Sequence, residues 1–127
     1  MSGFEHMGLR PEILRAIEEL GYQTPTPIQQ EVIPELLNMA GDLIGLAQTG
    51  TGKTAAFGLP LVQLTNLSSR NVQGLILSPT RELAVQIASD LESYAKYVPG
   101  LKVLAVYGGA PIVNQINQLK KGVHLVA

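Results

Sequence analysis

Cysteine and tryptophan are absent from this 127-residue sequence, and aromatic residues make up only 5% of it. Without cysteine there is no disulfide framework and no thiolate metal site. Charge of one sign is equally scarce: 9 Lys and Arg stand against 10 Asp and Glu, for a net charge of -1. So balanced a chain has no basic surface with which to hold nucleic acid by bulk charge, and any such partner must be gripped by a few placed groups. No apolar run approaches the roughly 18 residues of a membrane span. The N-terminus MSGFEHMGLR lacks the apolar centre of a secretory signal, which points to cytoplasmic residence and no membrane partner. The residues present in quantity are aliphatic, within a hydrophobic fraction of 46%, and the length suits one small domain with a core of its own.

Apolar spacing divides the chain into alternating elements. Pro11 to Leu20 carries Ile13, Leu14, Ile17 and Leu20 at helical spacing, opened by proline and closed by Gly21. A second helix starts at Thr26-Pro27, with Ile28, Val32, Leu36 and Leu37 facing inward and Pro34 forcing a kink or an early end. Asp42 to Leu46 reads as a short apolar strand that leads into a glycine loop and a helix from Lys53 to Leu67, bent or shortened by Gly58 and Pro60. Strand Val72 to Leu77, helix Arg81 to Tyr97 with Leu83, Ile87, Leu91 and Tyr94 on one face, strand Lys102 to Val106, helix Ile112 to Leu119 and strand Val123 to Val126 follow. Continuous apolar strands alternating with helices predict an α/β fold, a parallel sheet with helices on both faces. The final apolar strand with nothing after it suggests a sheet cut short.

The stretch AQTGTGKT, Ala47 to Thr54, packs two glycines and three threonines into eight residues between a strand and a helix. That context suits a phosphate loop. Backbone N–H groups from Thr49 through Gly50, Thr51 and Gly52 to Thr54 would cradle phosphates at a helix N-terminus. Lys53 would reach the terminal phosphates, and the Thr54 hydroxyl would bind Mg²⁺. Ala47 departs from the general pattern, which begins with glycine. Such loops serve kinases, GTPases, transporters and motors alike, so the loop implies a nucleotide but no particular reaction.

Three more stretches narrow the choice. GYQTPTPIQQ at Gly21 to Gln30, PTRELA at Pro79 to Ala84, and Gly108-Gly109 after a strand stand in a fixed order around the phosphate loop. Over its whole length the chain resembles the DEAD-box ATP-dependent RNA helicases. The resemblance makes the first stretch the adenine-reading Q motif, with Tyr22, Thr24 and Gln29. AQTGTGKT becomes motif I, leading alanine included, and Pro79-Thr80-Arg81 belongs to motif Ia on the RNA side. Phe4 matches an aromatic that the family places beside adenine. ATP and Mg²⁺ are the implied cofactors, Lys53 the implied catalytic residue, and RNA the implied partner, held through its backbone.

Each assignment has a plainer counterpart in the residues themselves. The Gln29 amide can match the donor and acceptor edge of adenine, yet Thr26 and Gln29 also form a capping box. Phe4 and Tyr22 can pack on a base or fill a core. Arg81, opening a helix, can meet a phosphate or be a solvated helix start beside Glu82. Gly108-Gly109 can let an RNA strand approach the main chain or be only a turn. His6 and His124 have no partner at metal-ligand spacing and read as surface or strand-end residues.

The resemblance also marks what the 127 residues do not contain. Neither the Asp-Glu-Ala-Asp box nor the TPGR and Ser-Ala-Thr stretches occur in them. The expectation is a partial N-terminal RecA-like ATP-binding domain spanning residues 1–127, without the rest of that domain or the second RecA-like domain. In the intact protein, ATP binding and hydrolysis would drive local unwinding of RNA duplex. The fragment itself is expected to bind nucleotide weakly, to hydrolyse none, and to self-associate through an open sheet edge. The alternatives are another phosphate-loop enzyme, or a nucleotide-binding module without turnover.

Overall fold

The computed structural model describes residues 3–38 and 41–127. A 3₁₀ turn, Gly3–His6, precedes α1 (Pro11–Glu19), α2 (Pro27–Leu37) and α3 (Lys53–Leu64). Then come β1 (Gly74–Leu75), α4 (Arg81–Tyr94), β2 (Val103–Leu104), α5 (Ile112–Lys120) and β3 (Leu125–Val126). The three short strands form one parallel sheet in the order β1-β3-β2, with Leu125 paired to both Gly74 and Val103. Successive strand residues point to opposite faces. Leu125 joins the main core of α1, α3 and α4 side chains, while Val126 packs with Leu104 and Val123, so the central strand is covered on both sides.

Local chemistry explains most boundaries. Pro11 opens α1, and Gly21, at φ +84°, allows the chain to turn away after it. Thr80 caps α4 by accepting the Leu83 N–H on Oγ1 at 3.2 Å. α4 stops at Tyr94 rather than the expected Tyr97, because Val98 precedes Pro99 and is steered away from helix. α3 stops at Leu64 rather than Leu67: Thr65 turns extended and donates its hydroxyl to Leu61 O at 2.7 Å. Both internal prolines, Pro34 and Pro60, are accommodated within their helices, so α2 runs on past Pro34 to Leu37 without the early end expected of it.

α2 and α4 pack against α3. Gly58 makes the α3–α4 approach possible, since a Cβ there would stand 3.0 Å from Leu91 Cδ2 and 3.1 Å from Tyr94 Cε2. The Gln63 amide of α3 ties down the N-terminal segment by accepting from Arg10 N at 2.7 Å and donating to Gly8 O at 2.8 Å. At the far end of α1, Glu19 accepts from Lys96 Nζ at 2.6 Å and from the Tyr97 hydroxyl.

Five inward positions and one strand differ from expectation. Leu20 and Leu83 lie largely exposed, and in α2 it is Gln29 and Ile33, beside Val32, that are buried, with Ile28, Leu36 and Leu37 only half-covered. His124 is buried, not at the surface, because it lies beside the central strand, where its Nδ1 accepts the Lys102 N–H at 3.0 Å. Residues 42–46 form no strand; Ile44 and Leu46 are 91% and 89% exposed. A strand is a property of a pair, and this segment has no neighbouring strand among the described residues. β1 leaves the matching vacancy on its outer side, where Leu75 and Leu77 are exposed.

Candidate functional site

The phosphate loop is shaped by two left-handed glycines. Gly50 and Gly52 both have φ of +80°, and Gly52 forms the N-cap of α3. Thr51 Oγ1 closes the turn by donating to Gln48 O at 2.6 Å. Lys53, first residue of α3, folds back over the loop and donates from Nζ to Ala47 O at 3.0 Å. The amino end of a twelve-residue helix, Lys53 and Thr54 line one concavity, an arrangement of backbone donors and a cation that suits an anion.

Gln29 reaches this loop from α2. It is only 4% exposed; its Oε1 accepts from Thr26 N at 2.9 Å and its Nε2 donates to Gly52 O at 3.1 Å. The capping interaction is therefore formed, and the same amide is bonded to the loop. One amide proton and one oxygen lone pair remain for a further partner.

The aromatic candidates divide. Tyr22 lines a cavity of about 630 Å³ together with Thr49, Gly50, Lys53 and Thr54. Phe4 is 1% exposed in the core, with its ring centroid 6.3 Å from that of Tyr22, so here it presents no face to an open site. It was hydrophobic enough for either role, and the N-terminal 3₁₀ turn puts it under α1. Tyr22 continues the row to Tyr94 through an edge-on contact and a 3.1 Å hydroxyl pair. Burial first, and then the bond to Tyr22, push the Tyr94 hydroxyl far above the ordinary tyrosine range. Thr24 is exposed.

The same cavity runs from the phosphate loop past Ile76, Leu77 and Ser78 to Pro79. Beyond it, Thr80 caps α4 and Arg81 occupies the first helical position, exposed. Tertiary structure brings Arg81 to Gly109: a Cβ on that glycine would stand 2.8 Å from Arg81 Nη1, and Gly109 has φ +91°. Gly108 is exposed beside it. Arginine, glycine loop and helix N-terminus thus share one surface.

Among the described residues no cluster of three or more His, Cys, Asp or Glu side chains is arranged to hold a metal. Nor is any described helix long and apolar enough to cross a membrane.

A family model described as DEAD/DEAH box helicase matches residues 26–127. The chain belongs to that family. It is 46% identical over 123 residues to the ATP-dependent RNA helicase DeaD of Haemophilus influenzae, covering 97% of this chain and 20% of that protein. It is 50% identical over 129 residues to the ATP-dependent RNA helicase CshA of Listeria monocytogenes, covering 99% and 24%. A DEAD box protein from Methanococcus jannaschii superposes with a TM-score of 0.92 at 42% identity, over 98% of this chain and 33% of that one. Prp28 from Chaetomium thermophilum, solved bound to ADP, gives 0.84 at 40% identity over 99% and 31%. The chain thus spans about a fifth to a quarter of the length of these curated relatives.

Family membership fits the parallel sheet, and the 127 residues correspond to a third of the chain of the superposed DEAD box protein. Sequence reasoning missed one residue of this surface, Gln115. Gln115 lies on α5 and its amide is bonded into the Gly108-Gly109 loop. It is one of four amides on that helix, beside Asn114, Asn117 and Gln118, and no local sign sets it apart from them.

Proposed function

We propose that this chain is the ATP-binding part of a DEAD-box ATP-dependent RNA helicase. The observation that carries the reading is the bond from Gln29 Nε2 to Gly52 O, which joins an amide with spare donor and acceptor capacity to the phosphate loop. Gln29 and Tyr22 then take the adenine side, with Thr24 at its margin. Thr49 to Thr54 hold the phosphates, Lys53 exchanges its bond to Ala47 O for a phosphate oxygen, and Thr54 faces Mg²⁺. Pro79, Thr80, Arg81, Gly108 and Gly109 meet the RNA backbone without reading bases. In the whole protein the nucleotide supplies the energy that opens a short RNA duplex, and cytoplasmic residence suits that role.

The 127-residue chain by itself binds ATP weakly and turns over none, because its sequence contains no Asp-Glu-Ala-Asp box to complete the magnesium shell and orient water. Titration with fluorescent ATP and GTP analogues tests the reading. ATP is expected to bind more tightly than GTP, Gln29→Ala to erase that preference, and Lys53→Ala to weaken both nucleotides. Equal affinities unaltered by Gln29→Ala overturn the adenine assignment, and turnover above the Lys53→Ala background overturns the inactive fragment.

A second proposal concerns the chain as given. The outer edge of β1, which is paired on one side only, and the extended apolar segment around Ile44 and Leu46 are both open to strand pairing, so the chain self-associates.

A further inference from the structure

We propose that Gln115 is a positioning residue for the Gly108-Gly109 loop and, through it, for Arg81; the inference rests on the reading of Arg81 as an RNA-phosphate contact. Val106 N donates to Ala127 O at 2.8 Å, the last bond that β2's chain makes to its neighbour. Backbone groups alternate sides along a strand, so those of Tyr107 turn to the outer edge of the sheet, where no strand follows. Gln115 takes the place of that missing strand. Its Oε1 accepts from Tyr107 N at 3.1 Å, and its Nε2 donates to Tyr107 O at 3.2 Å and to Ala110 O at 3.3 Å. Both amide protons are spent, one on each side of Gly108-Gly109, so the two glycines are spanned by a single side chain.

Few other contacts can do this work. α5 buries none of its residues, and Ile112 and Val113 in its first turn are 69% and 63% exposed. Gln115 itself is half-buried, the most covered residue class that α5 contains. At the other end of α5, Arg70 Nη2 donates to Lys121 O at 2.6 Å. α5 is therefore anchored by polar side chains at its two ends, and the glycine loop takes its position from the first of them. Arg81 lies against Gly109 with no room for a Cβ between them. A loop released by loss of Gln115 removes the surface on which the guanidinium rests, and a phosphate contact made by Arg81 loses its fixed geometry.

The test uses the 127-residue chain and a fluorescently labelled oligouridine, titrated by anisotropy at several salt concentrations. Each phosphate contact contributes about 0.7 to the slope of log affinity against log salt for single strands. Arg81→Ala should lower affinity and reduce the slope by about that amount. The positioning role predicts that Gln115→Ala, which removes no charge, reduces the slope as well, and that the double variant goes no further. Gln115→Met keeps the approximate size without charge but lacks the amide's donors and acceptor, and should behave as Gln115→Ala does. Slopes at the wild-type value in both Gln115 variants overturn the proposal. If Arg81→Ala changes neither affinity nor slope, or the wild type binds no RNA, the RNA reading fails. Gln115 is then judged by amide hydrogen exchange alone. Exchange at Tyr107 should accelerate roughly tenfold in Gln115→Ala while Leu125 and Ala127 hold their wild-type rates. Wild-type exchange at Tyr107, or acceleration throughout the sheet, refutes local positioning.

Discussion

Gln29 Nε2 donates to the carbonyl oxygen of Gly52 at 3.1 Å, and that same oxygen accepts the Ala56 N–H at 3.2 Å. The residue that starts the helix of the phosphate loop is thus held both by its own helix and by a side chain from α2, 23 residues earlier. Nothing that moves Gln29 can leave the loop untouched, so α2 and the glycine loop are mechanically linked.

Substitution of Gly52 should expose that coupling. An alanine there meets the Gln29 amide directly, and its φ of +80° suits glycine. The left-handed conformation alone costs about 1–2 kcal/mol for a residue with a Cβ. Gly52→Ala is expected to lower stability in urea by at least that and to weaken binding of fluorescent ATP. A variant with wild-type stability and affinity excludes the contact as a determinant of loop shape.

Gly58 sets two effects of opposite sign against each other. Replacing a mid-helix glycine by alanine gains about 1 kcal/mol of helix propensity. Overpacking costs about 1–3 kcal/mol, and the neighbours are Leu91 at 0% and Tyr94 at 2% exposure, which have nowhere to retreat. Gly58→Ala should therefore be a net loss, of up to about 2 kcal/mol by denaturant titration. A stabilised variant means the α3–α4 contact yields more readily than its burial implies.

Tyr94 makes a prediction at alkaline pH. Its folded-state pKa lies above the ordinary 10.0, so folding favours the protonated phenol. That contribution is complete below pH 10 and declines as pH rises beyond it, because the unfolded chain then releases a proton that the folded chain retains. Ultraviolet titration should find one of the four tyrosines un-ionised until the protein unfolds. Tyr22→Phe removes the partner of the Tyr94 hydroxyl and should cost about 0.5–1.5 kcal/mol at neutral pH. Ionisation of all four tyrosines in one step near pH 10 contradicts this arrangement.

Charges placed on the open edge should suppress association. Leu75→Lys and Leu77→Lys each put a cation on an exposed position of β1 or just after it, a usual natural defence of sheet edges. Light scattering is expected to show association of the wild-type chain that both variants reduce, with unfolding midpoints near that of the wild type. A monomeric wild type at high concentration removes the basis for the edge-pairing proposal.

Motif chemistry was legible wherever a short stretch carries its own mechanism. Ala47 to Thr54 supplies its glycines, lysine and threonine within eight residues, and Thr80 with Arg81 opens a helix by local capping alone. The alternation of strands and helices was readable for the same reason, since apolar periodicity is a local signal. Boundaries moved by a few residues where a side chain competed for a backbone group, as Thr65 does at the end of α3.

Whether an element exists as a strand, by contrast, depended on partners. Leu43 to Leu46 is as apolar as the segment around β1, yet only the latter has a neighbour to pair with. His124, expected at the surface or at a strand end, stands immediately before β3 and is buried because β3 is central in the sheet, a position no local pattern records. Residue types and spacing were enough to suggest a phosphate loop, and the order of the motifs carried the resemblance to the family, because those features act through adjacent backbone groups. The meetings of Gln29 with Gly52, Arg81 with Gly109 and Gln115 with Tyr107 were decided by the tertiary fold, since contact between distant residues depends on how helices pack and strands order.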